Sequence, residues 1–210
     1  MPSRPDRLVV VLGTTTDVGK TWTAAAVLRA LSRDGLRAVA RKPVQSCEPD
    51  DSAPDAVVLA AAAGERPDDV CPRHRWYEVA LAPPLAAEAL GRPAFTVADL
   101  VSELTWPDEV ELGLVETVGG PRSPVAADGD SADLAAALAP DLTVLVADAG
   151  LGAINAVRLA ATAVEGCGPL IVFLNRFAGT DTDRGNRGWL ADDGYEVVTT
   201  PVALATRLRH

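Results

Sequence analysis

The stretch VVVLGTTTDVGKTWTAAAVLRAL, Val9 to Leu31, passes from β-branched apolar residues through Gly13 and a threonine-rich turn to Gly19-Lys20-Thr21, then continues as an alanine- and leucine-rich helical pattern. A strand that ends in such a turn and opens a helix gathers the backbone N–H groups of Gly13 to Thr21 into a concavity suited to phosphate oxygens. Lys20 adds a point charge for the terminal phosphates. Thr21 offers a hydroxyl to the Mg²⁺ that accompanies a nucleoside triphosphate, the alternative being an ordinary turn in which the threonine caps the helix. The spacing departs from the regular P-loop G-x-x-x-x-G-K-[ST], because Thr14 stands where its first glycine belongs and five residues separate Gly13 from Gly19.

Outward from this stretch, short β-branched runs alternate with alanine-rich helical ones, the pattern of βαβ units. Strands are expected at Leu8–Leu12, Arg37–Lys42, Gly113–Glu116, Leu142–Ala147, Leu170–Asn175 and Glu196–Thr199. Helices are expected at Lys20–Arg33, Asp55–Ala63, Leu85–Leu90, Val97–Leu104, Ser131–Leu138, Ile154–Val164 and Asp183–Leu190. The fold class is therefore α/β: a three-layer, Rossmann-like P-loop NTPase with a mostly parallel sheet of six or seven strands flanked by helices. The 210 residues suit one domain. A composition 48% hydrophobic but only 4% aromatic calls for a core of Ala, Val and Leu.

A net charge of −10 argues against nucleic-acid or anionic-membrane partners spread over the surface, so an anionic ligand needs a local site. Cys47, Cys71 and Cys167 are scattered, with no C-x-x-C, which suggests neither a disulfide framework nor zinc and points to a reducing cytoplasm. The apolar run before Gly13 is too short for a signal peptide, and no later run approaches about 20 apolar residues, so a soluble protein is expected. The irregular segment Pro67–Leu85 reads as a substrate lid or a surface loop.

Ligands of open α/β sheets bind outside the carboxyl ends of the strands, and the polar residues of this chain collect there. Lys42 ends the second strand, where a lysine either reaches the P-loop cleft or stands as a solvated rim charge; Ser46 follows it. Asp55 opens a helix, either as a first-turn acid favoured by the helix dipole or as a metal ligand. Glu116 ends an apolar strand, the place for a second Mg²⁺ ligand, with Gly119-Gly120 in the turn beyond. The glycine-rich ADAGLGAINA before the helix near Ile154 either binds a carboxylate at that helix start or is a plain turn. Asn175 either offers its amide to a nucleobase or caps a turn.

Taken together these segments resemble the ATP-dependent dethiobiotin synthetases. GTTTDVGKT matches that family's altered Walker A, G-T-x-T-x-V-G-K-T, including its five-residue spacing. KPVQS at Lys42–Ser46 matches K-P-V-x-S, PDA at Pro54–Ala56 its Asp-Ala, VETVGG its V-E-G-A-G-G, LGAIN at Leu151–Asn155 its L-G-x-I-N, and LNR at Leu174–Arg176 its adenine-contacting Asn. The resemblance implies a cyclo-ligase that joins 7,8-diaminononanoate, CO₂ or bicarbonate, and ATP into dethiobiotin, ADP and phosphate. It implies catalytic roles for Lys42, Lys20 and Thr16, and Mg²⁺ held by Thr21, Asp55 and Glu116. Substrate would meet Ser46, Lys42 and the helix start Gly152, Ala153, Ile154 and Asn155, the last four acting across a homodimer. Nucleotide would meet Gly13, Thr14, Thr16, Asp17, Val18, Gly19, Lys20 and Thr21, then Asp55, Glu116, Thr117, Val118 and Gly119. Its base would meet Asn175, Arg176 and a proline-initiated loop at Pro201, Val202 and Ala203.

Departures from the family pattern gather away from the phosphates. Thr117-Val118 replace Gly-Ala, Cys47 a glycine and Ala156 a common His, and the tail lacks an acidic ribose contact. They leave room for an ATP-binding paralogue with altered catalysis, or a related P-loop ligase with another substrate. A partition-type ATPase would carry a second lysine early in the P-loop, which GTTTDVG lacks.

Overall fold

The computed structural model describes residues 4–209; residues 1–3 of the charged N-terminal stretch and residue 210 lie outside the described residues. In chain order the first half comprises β1 (Arg7–Gly13), α1 (Lys20–Arg33), β2 (Ala38–Arg41), β3 (Gln45–Ser46), α2 (Asp55–Ala63), α3 (Pro67–Val70), β4 (Trp76–Tyr77), α4 (Pro83–Ala89) and α5 (Val97–Ser102). The second half comprises β5 (Leu112–Glu116), β6 (Pro124–Ala126), β7 (Gly129–Asp130), α6 (Ser131–Leu138), β8 (Leu142–Asp148), α7 (Ala153–Ala163), β9 (Leu170–Asn175), α8 (Asp181–Asp192), β10 (Glu196–Val198) and α9 (Pro201–Leu208).

The main sheet has six strands in the order β10-β9-β8-β1-β5-β2, and every neighbouring pair is parallel. Its strands are apolar on both faces because both faces are covered. Val9 and Val11 pack with residues of α1, α2 and α9, whereas Val10 and Leu12 pack with residues of α4 to α8. Successive strand residues point to opposite faces, so β1 needs no polar side. Among the described residues no helix is long and apolar enough to cross a membrane.

β1 lies between β8 and β5, whose connections leave in opposite directions, and this switch opens a crevice at the strands' carboxyl ends. Several expectations shift in detail. The second strand stops at Arg41 rather than Lys42, and among the described residues no seventh strand joins the main sheet. The segment read as irregular holds α3, a 3₁₀ turn at Arg73–Arg75, and β4 paired with β3. Pro201, Val202 and Ala203, expected as a loop, form the first turn of α9, because Pro suits the first helical position and the Thr200 hydroxyl accepts the Ala203 N–H at 3.2 Å.

Candidate active site

The turn between β1 and α1 is held open by backbone that only some residues tolerate. Gly19 has φ 95°, and a Cβ there would lie 2.1 Å from the Asn175 Nδ2, so a side chain would displace Asn175. The same Nδ2 donates to the Val18 carbonyl at 2.9 Å, tying β9 to the turn. The Thr14 N–H donates to Val146 O at 2.8 Å, tying the turn to β8. Arg176, itself left-handed at φ 56°, donates to Asp17 O and to Asp148 Oδ2, each at 2.7 Å. Lys20 curls back over the turn, its Nζ donating to Thr15 O at 3.3 Å. Burial first, then the charge of Lys42, lowers its pKa.

Beside the turn, two carboxylates, a hydroxyl and an ammonium converge. β2 and β5 pair with Arg41 opposite Val115, so the next residues, Lys42 just beyond β2 and Glu116 at the end of β5, stand side by side. Lys42 is 1% exposed and Glu116 0%. The Lys42 Nζ lies 2.7 Å from Glu116 Oε1, 2.6 Å from Asp55 Oδ2 and 3.0 Å from Thr117 O. Thr21 Oγ1, from the first turn of α1, lies 2.7 Å from Asp55 Oδ1 and 2.8 Å from Glu116 Oε1.

The electrostatics follow from burial set against this pairing. Burial alone would weaken the Lys42 charge, but Asp55 and Glu116 raise its pKa above the ordinary lysine value. Asp55 is likewise pushed up by burial and pulled down further by Lys42 and Thr21, ending at about 2. Glu116 is the opposite case, since its desolvation outweighs the attraction of Lys42 and its pKa is raised.

Thr21, Asp55 and Glu116 present hard oxygen atoms, and the buried Glu116 Oε2 has no hydrogen-bond partner. Two carboxylates and a hydroxyl at a phosphate cradle suit Mg²⁺, which keeps waters and phosphate oxygens in its shell. The residues therefore fit that ion, although no cluster of three or more His, Cys, Asp and Glu suited to a metal occurs among the described residues.

A cavity of about 950 Å³ opens over the cluster. It is lined by Thr16, Asp17, Gly19, Lys20 and Thr21, by Lys42, Ser46 and Asp55, and by Val118, Gly119 and Arg176. Part of the Pro67–Leu85 connection forms its wall at Ala80–Ala82, where the Ser46 hydroxyl donates to Leu81 O at 2.6 Å. Of the departures from the family pattern, Cys47 and Val118 line the cavity, whereas Thr117 is buried in the core. Asn175 is buried against the turn. Gly152, Ala153, Ile154 and Asn155 form the start of α7, and Pro201, Val202 and Ala203 the start of α9; neither group is among the residues lining this cavity.

Sequence reasoning passed over three residues that shape the site. Asp148 ends β8 and receives Arg176. Ser123 Oγ accepts the Gly120 N–H at 2.9 Å and fixes the turn after β5. Gln45 lines the cavity and accepts the Ala56 N–H. Only Asp148 had a signal in the sequence, its position at a strand's carboxyl end.

The family described as an AAA domain matches residues 7–183. The chain is 38% identical over 162 residues to the ATP-dependent dethiobiotin synthetase BioD of Xanthomonas axonopodis pv. citri, covering 75% of this chain and 72% of that one. It is 38% identical over 174 residues to the enzyme of the same name from Anaeromyxobacter dehalogenans, covering 81% and 77%. Among solved structures it resembles a plasmid partition protein from Borrelia burgdorferi, with TM-score 0.59 over 99% of this chain and 97% of that one. At 10% identity that likeness speaks for the P-loop NTPase fold alone.

Proposed function

The chain belongs to the ATP-dependent dethiobiotin synthetase family, ligases of biotin synthesis, and on that footing we propose that it carboxylates 7,8-diaminononanoate with CO₂ and closes the ring to dethiobiotin, releasing ADP and phosphate. The observation that carries this reading is the cluster of buried Lys42 and Glu116 with half-buried Asp55 and Thr21 beside the P-loop turn. One amine of the substrate takes up CO₂ and loses a proton to give a carbamate. A carbamate oxygen attacks the γ-phosphorus, and ADP leaves. The second amine then attacks the carbonyl carbon of the mixed anhydride and gives up a proton, and phosphate departs as the ureido ring closes.

No covalent bond to the protein is required, so catalysis consists of positioning and charge neutralisation. Lys20 and the turn amides hold the phosphates, with Thr16 at their edge. Lys42, which faces the cavity, neutralises charge on the carbamate and the transferring phosphoryl group. Ser46 stands further along the same wall for the substrate. Thr21, Asp55 and Glu116 would hold Mg²⁺, which neutralises charge on the triphosphate when bound.

A second copy of the chain fits the same reading. Leu151, before α7, is 98% exposed, and Leu159 on α7 and Trp189 on α8 are exposed too, apolar side chains that a partner surface could cover. In the proposed homodimer the amides of Gly152–Asn155 at the start of α7 meet the far carboxylate of a substrate held by the other copy. Such a helix start needs no cationic side chain to hold an anion.

The test is a steady-state assay of ADP release with the diamine, bicarbonate and a panel of nucleotides. Release that requires both the diamine and bicarbonate is expected. Nucleotide hydrolysis indifferent to the diamine would sink the proposal.

A further inference from the structure

Gln45 is 1% exposed, and its Oε1 accepts the Ala56 N–H at 2.9 Å. Ala56 is fully buried in the first turn of α2, directly after Asp55. First-turn amides have no acceptor within their own helix. The N-cap of α2 is Pro54, which makes no side-chain hydrogen bond to the helix. The missing cap is thus supplied from β3, 11 residues upstream. The Ala56 amide can only donate, so the Gln45 oxygen must face it and Nε2 must face away. That Nε2 is buried and has no hydrogen-bond partner. The arrangement therefore leaves the Gln45 amide nitrogen unpaired while satisfying the start of α2.

What this cap steadies is the first residue of α2, whose carboxylate meets Thr21 at 2.7 Å and Lys42 at 2.6 Å. We propose that Gln45 is a positioning residue for the ligase reaction, capping α2 from β3 so that the Asp55 carboxylate stays in register with Thr21 and Lys42. The inference rests on the reading of Asp55 as a ligand of the Mg²⁺-nucleotide. It assigns a role to the position that K-P-V-x-S leaves open.

Gln45→Leu and Gln45→Met each remove the acceptor. Hydrogen exchange across residues 55–59, measured without nucleotide or metal, is expected to quicken by about tenfold in Q45L with other segments unchanged. The Mg²⁺ concentration that half-saturates ATP binding, read by calorimetry, should rise by about fivefold or more. Q45M, unbranched and closer in shape to glutamine, should shift both in the same direction. Unchanged exchange and unchanged Mg²⁺ requirement in Q45L would overturn the proposal. If Q45L does not fold, Q45M decides alone: faster exchange at residues 55–59 supports the cap, and wild-type exchange there defeats it. A wild-type protein without diamine-dependent turnover defeats the functional reading instead, and the exchange measurement still judges Gln45.

Discussion

Replacing Lys42 by Met removes the ammonium that two carboxylates share. Its Nζ is within 2.7 Å of both Asp55 and Glu116, and neither Lys42 nor Glu116 meets solvent. Breaking a buried pair by deleting one partner costs about 3–5 kcal/mol, because the remaining charge is left uncompensated. For a chain of this size each kcal/mol moves Tm by about 2–4 °C, so K42M should melt roughly 6–20 °C below wild type. The Lys42 pKa is raised, so its contribution is complete below the ordinary value of 10.5 and is fully present at about pH 8. In K42M the Glu116 carboxyl, already pushed up by burial, loses its main counter-charge and takes up a proton more readily. The deficit should therefore be larger at about pH 8 than at about pH 5. Calorimetric melting at both pH values measures it. Turnover should fall by a factor of about 100 or more, with ATP affinity changed only a few-fold. A K42M melting temperature within about 2 °C of wild type at pH 8, or a deficit that ignores pH, would refute the buried charge network.

Two further tests address its neighbours. The Asp55 pKa lies at about 2, below the ordinary 3.8, so its contribution to stability holds above 3.8 and is lost as pH falls toward 2. Urea unfolding should show wild type losing stability more steeply than D55N over that window, and equal slopes would contradict the assignment. Asn175→Ala removes the bond from Nδ2 to the Val18 carbonyl, and leaving that carbonyl unpaired should cost about 1–3 kcal/mol in the P-loop. Binding of ATP and of inorganic triphosphate should then weaken together by calorimetry. A loss confined to ATP would show that Asn175 acts through the base rather than through the turn.

The sheet was legible because burial on both faces leaves a mark in the sequence: Val9 to Leu12 can be apolar throughout only if helices cover both sides. The P-loop was legible because phosphate binding needs glycine, lysine and threonine in a fixed order. Adjacency was not. Lys42 and Glu116 are 74 residues apart, and what brings them together is the strand order β1-β5-β2, which no local pattern encodes. Gln45 was invisible for a related reason, since a glutamine in a short strand gains meaning only when a helix start arrives 11 residues later with a buried amide to satisfy. The start of α9 misled because proline serves a loop and a first helical position equally well.

Thr117 and Val118, side by side in the sequence, have separate structural consequences. The Thr117 N–H donates to Val11 O at 3.1 Å, continuing the pairing of β5 with β1 by one residue. Its side chain is buried, and its carbonyl receives Lys42 at 3.0 Å. A β-branched residue suits such strand-like backbone, so Thr117 stiffens the platform that carries Glu116 without entering the cavity. Val118 does line the cavity, and its carbonyl is held by the Ser131 hydroxyl at 2.7 Å. Immediately beyond, Gly119 has φ 55°, and a Cβ there would lie 2.2 Å from Ser123 Oγ, so the turn keeps its glycine where the backbone demands one. A change in substrate shape would therefore be felt at Val118 and at Cys47, the two departures that reach the cavity, while the phosphate cradle and its charged neighbours Lys42, Asp55 and Glu116 stay as they are.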